Sequence, residues 1–286
     1  MHVDDSSRSR FALVGPGRAG TALSLALVGR GWTATAIAGR APDAASTRGV
    51  AAALGASAVP VEDVGRDADV VVVATPDAAI SGAATALAPS LRKDALVVHL
   101  SGARSLHEFD DLVLTRPDVA VGSLHPLQAL PSGEVGQARL RGSWCAIDGP
   151  PERMERLALT LGMRPFRVDA AHRVDYHAAA CIASNHLVAL LGQVERLADD
   201  AGVPLAAFLP LVRATLDNVD ELGPTDALTG PVARGDYETV ARHLDAIPDD
   251  ERAAYVALSN AAARLVCREV APRGHLSLQT LETSDL

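Results

Sequence analysis

Short apolar runs alternate with Ala- and Leu-rich stretches through the first part of the chain. Residues 11–15 (FALVG) form an apolar run ending in glycine, and residues 20–30 follow as a helix. Residues 32–38 (WTATAIA) read as a second strand, and 43–55 as another Ala-rich helix closed by Gly55. The strongest strand is Asp69–Thr75 (DVVVVAT). A continuous β-branched run suits a strand buried on both faces of a parallel sheet. A helix near 77–89 precedes a strand at 95–100 (ALVVHL). Further strands are predicted at 119–124 (VAVGSL), 143–148 (SWCAID) and 165–168 (PFRV), with a helix at 151–162. Strands alternating with helices imply βαβ units and a doubly wound, mostly parallel sheet.

After about residue 168 the strand signals stop. Asp169 is placed to N-cap a long helix to about 201, ended by Gly202 and Pro204. A helix over 205–222 ends at Gly223-Pro224, Asp236 can cap 237–247, and Pro248-Asp249-Asp250 opens a helix to about 270. The pattern divides the chain into an α/β domain over 1–168 and an all-α domain over 169–286. The sequence has neither an internal repeat nor a low-complexity linker, which predicts close packing of the two.

The first predicted strand runs into Gly15-Pro16-Gly17-Arg18-Ala19-Gly20, a GxGxxG pattern that opens a helix. That setting makes it a dinucleotide fingerprint of the Rossmann fold. Gly15 permits the tight turn, Gly17 lets the backbone approach the pyrophosphate, and Gly20 lets helix and strand pack. The helix N-terminus offers N–H groups and partial positive charge to the phosphates. An NAD site usually places Asp or Glu at the end of the second strand. Here that position reads Ala38-Gly39-Arg40, and no acid comes before Asp43. Arg40 can hold a 2′-phosphate, with Ser46, Thr47 and Arg48 as further donors, so NADP is expected over NAD. The alternative for Arg40 is a solvated surface arginine. Thr75-Pro76-Asp77 ends the buried strand and belongs beside the nicotinamide half, and Ser101-Gly102 after the next strand is placed similarly.

Hydrophobic residues make up 48% of the chain and charged residues 21%, which excludes a disordered protein. A net charge of -9 argues against a nucleic-acid or polybasic membrane surface. No apolar run reaches transmembrane length. Lys93 is the only lysine, which closes most roles that need one. Cys145, Cys181 and Cys267 are far apart without metal-ligand spacing, so no metal is expected and they read as small buried side chains. Residues 1–10 are polar and lack a signal-peptide apolar region, which predicts a cytoplasmic protein. GxSxG, GxxxxGK[ST] and HExxH are absent.

Three segments carry candidate chemistry. In Gly122-Ser-Leu-His125-Pro126-Leu-Gln128, His125 sits just past a strand at the cofactor edge. It can give or take the proton that accompanies hydride transfer, and an unperturbed pKa near 6.5 suits that work. A turn histidine bonded to backbone is the alternative. On the long helix, His177, Ser184 and Asn185 fall on one face by steps of seven and eight. They could face the cleft between domains, or form core hydrogen bonds or a subunit contact. His186 lies about 100° around from Asn185. The third segment, Gly223 to Asp236, holds Thr229 and Arg234. Arg234 could bind a substrate carboxylate bidentately, or the segment could be loop punctuation and a helix cap.

GPGRAG (15–20), GSLHPLQ (122–128), ASNH (183–186) and LTGPVARGD (228–236) together resemble one group of proteins. These are Rossmann-like proteins whose C-terminal half is classed as a domain of unknown function. They stand among the dehydrogenases with a 6-phosphogluconate-dehydrogenase-like helical C-terminal domain. The resemblance covers nearly the whole chain. It implies an NADPH-dependent oxidoreductase, and some members are alternative ketopantoate reductases that make pantoate. His125-Pro126 and the helix with Asp175, Ser184 and His186 are also similar to prephenate dehydrogenases, where a histidine assists hydride transfer. The common ketopantoate reductases use a lysine in that helix, which this chain lacks. The resemblance therefore implies His125, Asn185 and His186 as catalytic candidates. Ser101, Gln128, His177, Ser184, Thr229 and Arg234 are the substrate-binding candidates. A homodimer is expected of the group. The rival functions are a prephenate- or arogenate-type dehydrogenase and a regulatory protein that binds NADP(H) without turnover.

Overall fold

The computed structural model describes residues 9–131 and 133–267. By contact density the chain divides into two compact units, 1–184 and 185–286. The first unit carries an eight-stranded sheet. Its strands are β1 (Arg10–Val14), β2 (Thr33–Ala38), β3 (Ser57–Ala58), β4 (Val70–Val73), β5 (Leu96–His99), β6 (Ala120–Pro126), β7 (Trp144–Asp148) and β8 (Arg164–Arg167). The spatial order is β3-β2-β1-β4-β5-β6-β7-β8. All neighbouring pairs are parallel except β6 and β7, which run antiparallel. The order reverses between β1 and β4, the crevice where open α/β sheets bind ligands.

Helices cover both faces. They are α1 (Arg18–Val28), α2 (Ala45–Leu54), α3 (Ile80–Leu87), α4 (Asp110–Thr115), α5 (Gly133–Leu140) and α6 (Pro151–Thr160). Every residue of β4 and of β5 is buried, which is why both strands read as unbroken apolar runs. One core forms around Leu13, Leu23, Val72, Val98, Leu124 and Met154, and the other around Val14, Val71, Val73, Ile80 and Phe109. The pattern did not anticipate α4 and α5. Helix α4 has only six residues. Helix α5 (GEVGQARL) carries little apolar surface because its glycines, not large side chains, meet Thr21 and Ala22 of α1.

The long helix expected from 169 to 201 is four pieces. A 3-10 turn (Ala170–His172) leads into α7 (Arg173–Cys181), a π turn (Ile182–His186) and α8 (Leu187–Asp200). Asp169 precedes the first piece without a side-chain cap bond. The division between units falls inside the π turn, so α7 is counted with the sheet. The second unit continues with α9 (Leu209–Ala227), α10 (Pro231–Arg234), α11 (Tyr237–Ala246) and α12 (Asp249–Cys267). Helix α9 breaks at Gly223, whose φ of 78° is left-handed, immediately before Pro224. Asp236 accepts the Thr239 N–H at 3.1 Å and caps α11. Helices α8 and α12 are tied through Glu251, which pairs with Arg196 and whose carbonyl accepts from Gln193 Nε2 at 3.0 Å. The helix expected to reach about 270 is described to Cys267, and the last residues of that expectation lie outside the described range. No helix among the described residues is long and apolar enough to cross a membrane.

Candidate active site

The glycine turn occupies the β1–α1 junction at the strand-order reversal. Gly15 has a φ of 91°, and a Cβ there would lie 2.6 Å from the Ala74 carbonyl oxygen at the end of β4. A Cβ on Gly20 would lie 2.6 Å from the Gly15 carbonyl oxygen and 2.8 Å from Ala74 Cβ. Both positions therefore exclude any side chain for packing reasons. Gly17 differs, since its added Cβ would meet nothing within 4 Å. The position is therefore open, and packing alone does not require glycine there. The first N–H groups of α1, on Arg18, Ala19 and Gly20, have no carbonyl a turn earlier to bond. Pro16 completes the turn.

Arg40 follows β2 and is exposed, as are Ser46 and Arg48. Thr47 is fully buried and its hydroxyl lies against Gly39, so it is not an outward donor. Thr75 and Pro76 follow β4, and the Thr75 hydroxyl is buried without a partner. Asp77 lies 3.7 Å from Arg104 Nε.

A second cluster stands where β5 and β6 end. His125, next to last in β6, directs Nδ1 to the Tyr176 hydroxyl of α7 at 2.7 Å. The His177 ring lies 5.8 Å from the His125 ring, and its Nδ1 is 3.8 Å from Cys181 Sγ. Gly102 admits this arrangement, because a Cβ there would come 2.6 Å from His177 Cδ2 and 2.8 Å from His125 Cε1. Arg173 opens α7 and is 1% exposed. Its Nη2 donates to the Ser101 carbonyl at 3.1 Å, while Nε and Nη1 have no partner. Ser101 N–H donates to His99 Nδ1 at 3.2 Å, and Ser101 Oγ accepts from Arg104 N–H at 3.0 Å.

These surroundings fix the charge states. Burial first, then the charges of His177 and Arg173, pull the His125 pKa down from 6.5 to about 4. Burial and then Arg173 do the same to His99, also to about 4. Burial pushes the Tyr176 phenol up to about 12. Both histidines are therefore neutral near pH 7, and the expectation of an unperturbed His125 is corrected. With Nδ1 on the Tyr176 hydroxyl, Nε2 is the other ring nitrogen of a neutral imidazole.

The remaining candidates divide between the two units. The Gln128 amide is exposed and serves its own turn, with Oε1 accepting the Ala129 N–H at 2.9 Å. Ser184 Oγ donates back to the Ala180 carbonyl at 2.7 Å. The π turn carries an extra residue between His177 and Asn185, so the common face argued from α-helical steps does not hold as counted. Ser184, Asn185 and His186 are exposed. Asn185, His186, Thr229 and Arg234 belong to the second unit, where Thr229 and Arg234 are exposed and Arg234 ends α10. The segment from 223 to 236 is thus partly helical, not only loop. Cys145 is buried as expected, Cys181 is half-buried beside His177, and the Cys267 side chain lies outside the description. Sequence reasoning missed Arg173, Tyr176 and His99, and it named Gly102 only as part of a loop beside the cofactor. One signal was available, since Arg173, Tyr176 and His177 stand at i, i+3 and i+4 and so share a helical face. No group of residues suited to a metal occurs among those described.

Residues 4–125 match the family model of the Rossmann-like domain, and residues 143–262 match that of a domain of unknown function, DUF2520. No curated protein matches the sequence significantly. A Bacteroides fragilis protein described as an NADP oxidoreductase superposes with a TM-score of 0.76 at 24% identity, over 90% of this chain and 98% of that one. Protein TM1727 from Thermotoga maritima gives 0.67 at 23%, over 91% and 100%. An imine reductase from Myxococcus stipitatus, solved with NADP+, gives 0.62 at 18%, over 91% and 94%. At these identities the likeness is one of fold: a Rossmann-like α/β sheet continued by a helical region, the two together spanning nearly the whole chain.

Proposed function

We propose that the protein is an NADPH-dependent oxidoreductase that reduces a small 2-keto acid, with 2-dehydropantoate, reduced to pantoate, as the substrate. One observation carries this reading. A neutral histidine and a buried arginine stand at the carboxyl edge of a sheet whose first turn is open at Gly17 for a dinucleotide. The residues fit the cofactor: Gly15 to Gly20 would hold the pyrophosphate and Arg40 the 2′-phosphate. The NADP+ bound to the imine reductase of this fold supports the choice of cofactor. When bound, NADPH supplies the hydride. His125 serves the keto oxygen through Nε2–H, because a neutral imidazole with Nδ1 engaged can donate a hydrogen bond there as charge builds on oxygen. Tyr176 orients that ring, and the alkoxide takes its proton from solvent. Exposed apolar residues Val188 and Leu190 of α8 and Leu211, Leu216 and Leu222 of α9 support pairing with a second copy of the chain.

The test is to mix the purified protein with NADPH and 2-dehydropantoate and follow the nicotinamide absorbance. Turnover with kcat/KM on the order of 10⁴ M⁻¹s⁻¹ or more is expected of a working enzyme. Absence of oxidation, with NADPH binding measured separately, discards the pantoate assignment.

A further inference from the structure

Arg173 is 1% exposed, yet Nε and both hydrogens of Nη1 lack an acceptor. Its one bond goes from Nη2 to the Ser101 carbonyl, a neutral group. Among the described residues no carboxylate lies within ion-pair distance of it. The acid that acts on it most is Asp148, whose Oδ1 already accepts the Gly149 N–H at 2.7 Å. Tyr176 and the neutral His125 beside it carry no negative charge. A buried guanidinium with no carboxylate in contact is a costly arrangement. A bound anion removes that cost. Nη2 keeps a second N–H, which can form a fork with the neighbouring free nitrogen on its side, the geometry a carboxylate takes bidentately.

We propose that Arg173 is the anion-binding residue of the active site and receives the carboxylate of the substrate while His125 serves the adjacent oxygen. This rests on the reductase reading and gives Arg173 the role that the sequence pattern offered to Arg234. In a 2-keto acid the carboxylate and the carbonyl sit on neighbouring carbons, so their recognition groups must stand side by side. Arg173 is close enough to act electrostatically on His125, and Tyr176, bonded to His125, lies three residues beyond Arg173 on α7. The bound carboxylate also offsets the positive charge that Arg173 presents to His125.

The test uses oxamate, an unreactive 2-keto acid analogue, titrated calorimetrically into the full-length protein saturated with NADPH. Wild type is expected to bind it, and Arg173→Gln to bind it about 10–100-fold more weakly, the range for loss of charge-assisted hydrogen bonds. Arg173→Lys should recover part of the affinity, and NADPH affinity should stay within about twofold in both variants if the fold is intact. A second measurement needs only wild type, the Cε1–H resonance of His125 followed against pH. His125 faces Arg173, Tyr176 and His177 of α7 and feels Asp77 after β4. Oxamate should raise its pKa. Equal oxamate affinity in wild type and Arg173→Gln overturns the proposal. So does wild type, with NADPH bound, that neither binds oxamate nor shifts His125. Failure of the reductase reading looks different: oxamate binds through Arg173, but no keto acid drives NADPH oxidation.

Discussion

At the residue scale, the glycines of the turn separate folding from binding. Gly15 and Gly20 have backbone or Cβ atoms where a side chain would go, whereas Gly17 has open space. Gly15→Ala is expected to lower the melting temperature, because it adds a methyl against the Ala74 carbonyl at a left-handed φ. Gly17→Ala should leave the melting temperature unchanged and weaken NADPH binding by roughly tenfold or more, since the methyl fills the space the pyrophosphate needs. Arg40→Ala should erase the preference for NADPH over NADH, and an unchanged preference removes Arg40 from the 2′-phosphate site. At the second cluster, His125→Asn should lower kcat by roughly 10²–10³-fold if the imidazole donates its hydrogen bond to the developing alkoxide. Tyr176→Phe deletes only the bond to Nδ1 and should cost less, with NADPH affinity retained. A loss under about threefold for His125→Asn takes it out of the mechanism.

At the element scale, the π turn within 182–186 is the feature that the periodicity hid. A π turn amounts to one residue inserted into an α-helix. Its removal heals the helix and keeps the register on either side. Deleting Ala183 is therefore expected to shift the melting temperature by less than about 4 °C, equivalent to ~1 kcal/mol or less. Deleting Ala189 from the regular turns of α8 rotates every later residue by about 100° and should destabilise far more. Equal damage from both deletions, measured by thermal unfolding, counts against a π turn. The positions of α7 and β6 matter for the site more than their type does. Three residues of one short helix face meet the ends of two strands, β5 and β6, and no one element contains the site alone.

At the scale of the whole molecule, the buried histidines link stability to pH. His99 is fully buried, with its pKa lowered from 6.5 to about 4 by burial and then by Arg173, against a hydrogen bond with the Ser105 backbone and then Asp77 and Asp148, which raise it. The unfolded chain therefore binds more protons than the folded one between those values, and stability must rise with pH there. The contribution is complete above about pH 6.5 and is lost as pH falls toward about 4, roughly 3 kcal/mol for a full shift at 1.36 kcal/mol per pKa unit. His125 acts in the same direction. Urea unfolding at pH 7 and pH 4.5 should show lower stability at the acid value, and His99→Asn should flatten the dependence. A stability that does not fall on acidification would mean that His99 is already charged in the folded protein.

The sequence by itself determined the sheet, the glycine turn and the helical second half. Strand and helix periods, a β-branched run such as 70–73 and the spacing of Gly15, Gly17 and Gly20 are local properties, so a short window of residues contains them. It also put His125 just past a strand, and the structure has it next to last within β6. Only the tertiary structure decided what surrounds His125. Burial lowers its pKa, Tyr176 takes Nδ1 from 51 residues away, and Arg173 reaches the Ser101 carbonyl across 72. Desolvation and orphaned donors depend on what the fold packs around a group, and no local pattern of residues records that.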